Sequence, residues 1–123
     1  MTYVYDIRNK LTEIMYAKVE DFTIEQQEIA RYAKLLAHPA RVAIIEYLAK
    51  ENRCISGDIS NELPLSRTTV SQHLQELKNS ELINGEIEGQ TVCYCINWKT
   101  YNRVQKLFNK FFDKVVQHKN NCC

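Results

Sequence analysis

Two short amphipathic segments that meet at a proline, between residues 56 and 80, constrain this chain more than any other feature. Ser56-Gly57-Asp58-Ile59-Ser60-Asn61-Glu62-Leu63 predicts a short helix. The Ser56 hydroxyl is placed to accept from N–H groups that a first turn leaves unpaired, and Ile59 and Leu63 share a face at i,i+4. Pro64 ends it, because proline offers no N–H to continue the ladder. After Leu65, Ser66 caps a second helix in which Val70, Leu74 and Leu77 recur at i, i+4, i+7. Two short helices joined by so tight a turn are a helix-turn-helix.

The flanks extend this unit without a linker. Three glycines, two prolines and the lack of repeats or low-complexity runs predict one mainly α-helical domain over residues 1–123. An amphipathic segment runs from about Asp6 to Val19 inside an N-terminal helical extension, residues 1–22, with Ile7, Leu11 and Ile14 or Met15 at helical spacing. Thr23 and Gln26 form a capping box that starts a helix reaching about Ala37. Pro39 suits the first position of the next, with Val42, Ile45 and Leu48 expected to face the core. From Leu82 the apolar period falls to two. Leu82, Ile83 and Ile87 precede a Glu88-Gly89-Gln90 turn, and Val92, Tyr94 and Ile96 follow it, predicting a β-hairpin over residues 82–97. Asn97 caps a last helix, residues 98–118, whose Trp98, Tyr101, Val104, Phe108, Phe111 or Phe112, and Val115 make a wide aromatic stripe.

With 45% hydrophobic and 25% charged residues the chain can bury one small core, and its net charge of +1 provides no global attraction for polyanions. Any nucleic-acid contact must come from local placement of Lys and Arg. No run of apolar residues spans a bilayer and no secretory signal opens the chain, which leads to the expectation of a cytoplasmic protein with no membrane partner. In that compartment Cys54, Cys93, Cys95, Cys122 and Cys123 are expected as thiols. Nucleophile elbows, phosphate-binding glycine loops and His-Glu-x-x-His motifs are missing, so nothing points to an enzyme.

The second helix of a helix-turn-helix lies in the major groove of duplex DNA. Here Ser66, Arg67, Thr68, Thr69, Ser71, Gln72 and His73 surround the apolar stripe with no acidic residue among them. Arg can fork to guanine, Gln can pair with adenine, and Ser and Thr can bond phosphates. A merely solvated helix face would show similar polarity.

The stretch from Leu35 to Ile96 resembles the ArsR-type (arsenical-resistance repressor) winged-helix regulators of bacteria. It does so in the Leu-x-His-Pro-x-Arg entry at Leu36 to Arg41, in LSRTTVSQHLQELKNSELI from Leu65 to Ile83, and in EGQTVCYCI from Glu88 to Ile96. The resemblance implies a winged helix-turn-helix fold with helices at both termini forming a dimer interface. It also implies a homodimeric repressor on an inverted-repeat operator of double-stranded DNA, which a metal, metalloid or redox signal releases. In that frame Arg41, Lys78 and Gln90 join the DNA-contacting set, and Trp98, Tyr101, Phe108, Phe111 and Phe112 form the dimer seam.

Two departures stand out. Glu86 and Glu88 make the wing acidic, and carboxylates repel phosphates. Where the family's arsenic site has Cys-Val-Cys, this chain has Ile55-Ser56-Gly57, with Cys54 just outside. Of the family's zinc ligands on the last helix, only Asp113, His118, Cys122 and Cys123 offer candidates.

Thiolates favour soft ions. The adjacent Cys122 and Cys123, joined by Cys54 or His118, therefore form a candidate site for As(III) or another thiophilic ion acting as inducer. Cys93 and Cys95 share one face of the second hairpin strand, as a ligand pair, a redox couple or plain sheet residues. A redox-sensing regulator, and a winged protein-interaction module that does not bind DNA, are the competing readings.

Overall fold

The computed structural model describes residues 19–55 and 59–120. The segment expected as a helix from Asp6 to Val19, the Ser56 cap, and Cys122 and Cys123 fall wholly or almost wholly outside those residues.

Helix α1, Ile24–Leu35, starts at the expected capping box: the Thr23 side chain accepts from the Gln26 N–H at 3.1 Å and the Gln26 side chain accepts from the Thr23 N–H at 2.9 Å. Helix α2, Pro39–Glu51, has Pro39 in its first turn and His38 as cap, with His38 Nδ1 accepting from the Ala40 N–H at 3.0 Å. It ends at Asn52 in the left-handed conformation, which asparagine tolerates better than most residues. Of the first helix of the pair joined at Pro64, the described residues form one 3₁₀ turn, Ile59–Glu62.

Helix α3, Arg67–Asn79, follows, with the Ser66 hydroxyl accepting from the Thr69 N–H. Its end explains the abrupt change of period in the sequence. Glu81 takes φ 66°, its N–H bonds back to Lys78 O at 3.0 Å, and the Leu82 N–H reaches Leu77 O at 3.2 Å. This is a Schellman turn, which satisfies the last carbonyls and turns the chain out of the helix. Strands β1, Ile83–Glu88, and β2, Thr91–Ile96, then pair antiparallel, from Ile83 opposite Ile96 to Glu88 opposite Thr91. The two-residue turn has Gly89 at φ 64°, in the first position that a II′ hairpin reserves for glycine. Helix α4, Trp98–Gln117, begins at Asn97, whose side chain accepts from the Thr100 N–H.

One core joins these elements: Tyr32 and Leu35 of α1, Ile44 and Leu48 of α2, Ile59, then Val70, Leu74 and Leu77 of α3, and Leu82, Ile83, Ile96 and Val104. The expected stripe of α3 is buried in full. On α2 the expectation needs correction: Ala40, Ile44 and Leu48 are buried, Ile45 is half-buried and Val42 is exposed. Apolar residues occur on several faces of PARVAIIEYLAKE, so spacing alone does not select the inner one. Helix α1 is fastened to α4 by polar contacts. Arg103 donates to Glu28 at 3.0 Å and to the Tyr32 hydroxyl at 2.7 Å, and Lys110 pairs with Glu25 at 2.7 Å. Among the described residues no helix is long and apolar enough to cross a membrane.

Candidate nucleic-acid interface

The Ser66 cap fixes the start of α3 twice, since its hydroxyl also donates to Thr69 Oγ1 at 2.8 Å. With Val70, Leu74 and Leu77 facing inward, the opposite side of the helix exposes Arg67, Thr68, Ser71 and Gln72. These four are the centre of the face read from the sequence. Thr69, half-buried, is engaged with the cap. Gln75 belongs to the same exposed face, one turn beyond Ser71, and donates to Asn79 at 3.0 Å. In the sequence, the i,i+4 spacing of Gln75 from Ser71 is the signal that places it on this face.

His73 does not belong to that face. It is only 8% exposed, with its ring centroid 4.4 Å from that of His38, and its Nδ1 accepts from Arg41 Nε at 3.2 Å. Burial, with the nearby His38 and Arg41, pushes its pKa below the ordinary value near 6.5, so a neutral ring is held in the fold. Arg41, expected at a phosphate, is half-buried; besides His73 it bonds the Leu35 carbonyl at 3.2 Å. Together His73 and Arg41 brace α2 against α3. Lys78 is exposed, and its side chain runs over Gly85 of β1, where an added Cβ would lie 3.1 Å from Lys78 Cδ. A side chain at Gly85 would crowd both Lys78 and the Tyr94 ring.

The hairpin stands beside α3. Arg67, Val70, Ser71 and Leu74 line a cleft with Thr91, Val92 and Tyr94 of β2. At the tip Glu86, Ile87, Glu88 and Gln90 are exposed, Ile87 by 86%, and the Thr91 hydroxyl donates to Glu88 O at 2.9 Å. The described wing therefore presents carboxylates and one bare isoleucine next to a neutral-to-basic helix face.

The cysteines depart from expectation. Cys54 and Cys93 form a disulfide, closing a link between residues 39 apart in sequence. Cys54 is therefore not a free ligand for the terminal pair in this state. Cys95 is a free, half-buried thiol. Spacing could not reveal the bond, because Cys54 precedes the helix-turn-helix and Cys93 lies in the wing.

Helix α4 carries the other surface. Phe108 is half-buried, but Trp98, Tyr101, Phe111 and Phe112 are 46%, 37%, 40% and 57% exposed, and Val115 and Val116 lie open beside them. Of the five aromatic residues expected at a dimer seam, Phe108 packs against the core and the other four are exposed on an apolar surface among the described residues.

A capped recognition helix after a tight turn, followed by a two-stranded hairpin, defines a winged helix-turn-helix protein. Residues 38–85 match the family described as bacterial regulatory protein, arsR family. The transcriptional activator HlyU of Vibrio cholerae is 30% identical over 84 residues, covering 68% of this chain and 77% of that protein. The chain belongs to the arsR family. It spans 59% of the length of the uncharacterized regulator Rv0081 of Mycobacterium tuberculosis, at 31% identity over 67 residues and 54% of this chain. Among solved structures it is similar to the homodimeric winged helix-turn-helix DNA-binding domain of Mb0332 from Mycobacterium bovis. There the TM-score is 0.55 and the identity 28%, covering 80% of this chain and 90% of that one.

Proposed function

We propose that this chain is a sequence-specific transcriptional repressor that binds an inverted-repeat operator as a homodimer and leaves it when a thiol-reactive signal arrives. The observation that carries the reading is the exposed face of α3, on which Arg67, Thr68, Ser71, Gln72 and Gln75 project from a helix held by the Ser66 cap. Arg67 and Gln72 supply direct base readout, Thr68 and Ser71 bond phosphates while Ser66 holds the helix start, and Lys78 and Gln90 add contacts at the margins. The second subunit is supported by the exposed apolar face of α4. An area of that kind marks an interaction site, and two copies would set the recognition helices about one DNA turn apart.

The signal is read by thiols. Cys122 and Cys123 form a vicinal pair suited to trivalent arsenic or another soft ion. Binding such an ion shifts the dimer only if one of its states holds the ion better.

The acidic wing and the bare Ile87 favour a second reading, a winged module that binds protein instead of DNA. Titrating DNA from the chain's own upstream region across a salt series separates the two. Under the first reading affinity falls steeply with salt, Arg67→Ala costs about 1–3 kcal/mol of binding and relaxes base preference, and arsenite releases the chain unless Cys122 and Cys123 are serine. A reporter driven by that DNA reads the direction of regulation. An absence of DNA binding even at low salt would overturn the first reading and favour the second.

A further inference from the structure

The hairpin has two unlike faces. Tyr94 and Ile96 pack with the core, as does Ile83 opposite Ile96. The alternate residues of β2, Cys93 and Cys95, lie on the other face. Along the free edge of β2, Ile55 exchanges both backbone hydrogen bonds with Tyr94, each 2.8 Å long. That pairing lays Cys54 against β2 from one side, while β1 brings Glu86 directly opposite Cys93 from the other. The Cα atoms of Cys54 and Cys93 are 5.3 Å apart, and their two sulfurs and a Glu86 carboxylate oxygen all lie within 4.8 Å of one another.

Two sulfur donors and a carboxylate within reach of one ion are a donor set for a soft or borderline cation. Backbone pairing, besides the sulfur–sulfur bond, holds these residues together. That pairing does not depend on a covalent link, so it can keep the two sulfurs near each other when the bond is open. Cys93 is buried, Cys54 half-buried and Glu86 exposed, so the site has a dry floor and an entry from solvent.

We propose that Cys54, Cys93 and Glu86 form a two-state site on the outer face of the wing: a disulfide when oxidised and, when reduced, a binding site for one thiophilic divalent cation such as Zn(II) or Cd(II). A dithiol reductant opens it. Two thiol–disulfide exchanges break the Sγ–Sγ bond, delivering two electrons and two protons, and the reductant leaves as its own cyclic disulfide. The cation then displaces one proton from each thiol, and two thiolates and the Glu86 carboxylate hold it with solvent in the fourth position. Either occupied state ties the segment ahead of the helix-turn-helix to the wing. The reduced, metal-free state leaves only the Ile55–Tyr94 backbone pairing to hold it.

The test uses the full chain with Cys95, Cys122 and Cys123 changed to serine, so that Cys54 and Cys93 are the only thiols. After reduction and removal of the dithiol without oxygen, Cd(II) is titrated while the thiolate-to-cadmium charge-transfer absorbance is recorded. The expected band saturates at one Cd(II) per chain and is missing in the oxidised protein. It should disappear on adding Cys54→Ser or Cys93→Ser. Glu86→Gln should keep the band but weaken affinity by at least about tenfold, the scale on which even outer-sphere partners act.

A reduced protein with no saturable band, or one whose affinity survives Cys54→Ser, overturns the site. Unchanged affinity in Glu86→Gln overturns the three-donor set. In the unsubstituted reduced chain Cd(II) should shield Cys54 and Cys93 together from alkylation, read by peptide mass. Equal alkylation with and without Cd(II) refutes the proposal with no substitution made. None of these readouts involves DNA, so they stand or fall separately from the repressor reading.

Discussion

His73→Leu tests the strut between α2 and α3. The leucine keeps most of the buried volume beside His38 but removes Nδ1, the acceptor of the 3.2 Å bond from Arg41. A hydrogen bond to a charged group contributes about 1.5–3 kcal/mol. This one is long, and half-buried Arg41 keeps its bond to Leu35 and regains water in part, so a loss of about 1–2 kcal/mol is expected at pH 8.

The pH dependence follows from the depressed pKa. Below the unfolded value near 6.5 the unfolded chain binds a proton that the folded chain refuses. His73 therefore contributes stability that is fully present above that pH and is lost as pH falls toward its folded pKa. The assay is urea unfolding, followed by circular dichroism at one fixed protein concentration because dimerisation would add to stability, from pH 8 down to pH 5. Wild type should lose stability on acidification faster than His73→Leu, and the gap between the two should narrow. His38 is common to both proteins, so the difference isolates His73. Parallel curves, or equal stability at pH 8, would refute the strut.

Three further outcomes are expected. Glu81→Gly relieves a left-handed conformation that costs a non-glycine residue roughly 1–2 kcal/mol, offset by roughly 0.5–1 kcal/mol of added chain entropy. Urea unfolding should show a net gain, and a net loss would mean that the Glu81 side chain holds the turn. Leu77→Ala empties a site with 0% exposure and should cost about 2–5 kcal/mol by the same measurement. Phe112→Asp places a charge on the open face of α4 without touching the core. Sedimentation should show dimer giving way to monomer with helix content retained, and an unchanged dimer would move the interface elsewhere.

Much of the fold was legible because its signals are local. A capping box, a proline in a first turn, a serine cap and a glycine hairpin each satisfy or release backbone groups within a few residues. The α3 stripe was legible because helical spacing and burial coincide there, whereas α2, apolar on several faces, hid which one turned inward. The polar face of α3 is legible at Arg67, Thr68, Ser71 and Gln72, but not at Thr69, which turns to the cap, nor at His73, whose type suits groove and core equally.

By itself the sequence determined the order of elements, the turn chemistry and the family. Tertiary structure alone decided which polar residues stay outside, and that Cys54, Glu86 and Cys93 meet. The reason is physical: a cap or a turn is settled among neighbours in the chain, while the environment of His73 and the partners of Cys54 depend on packing across 32 and 39 residues.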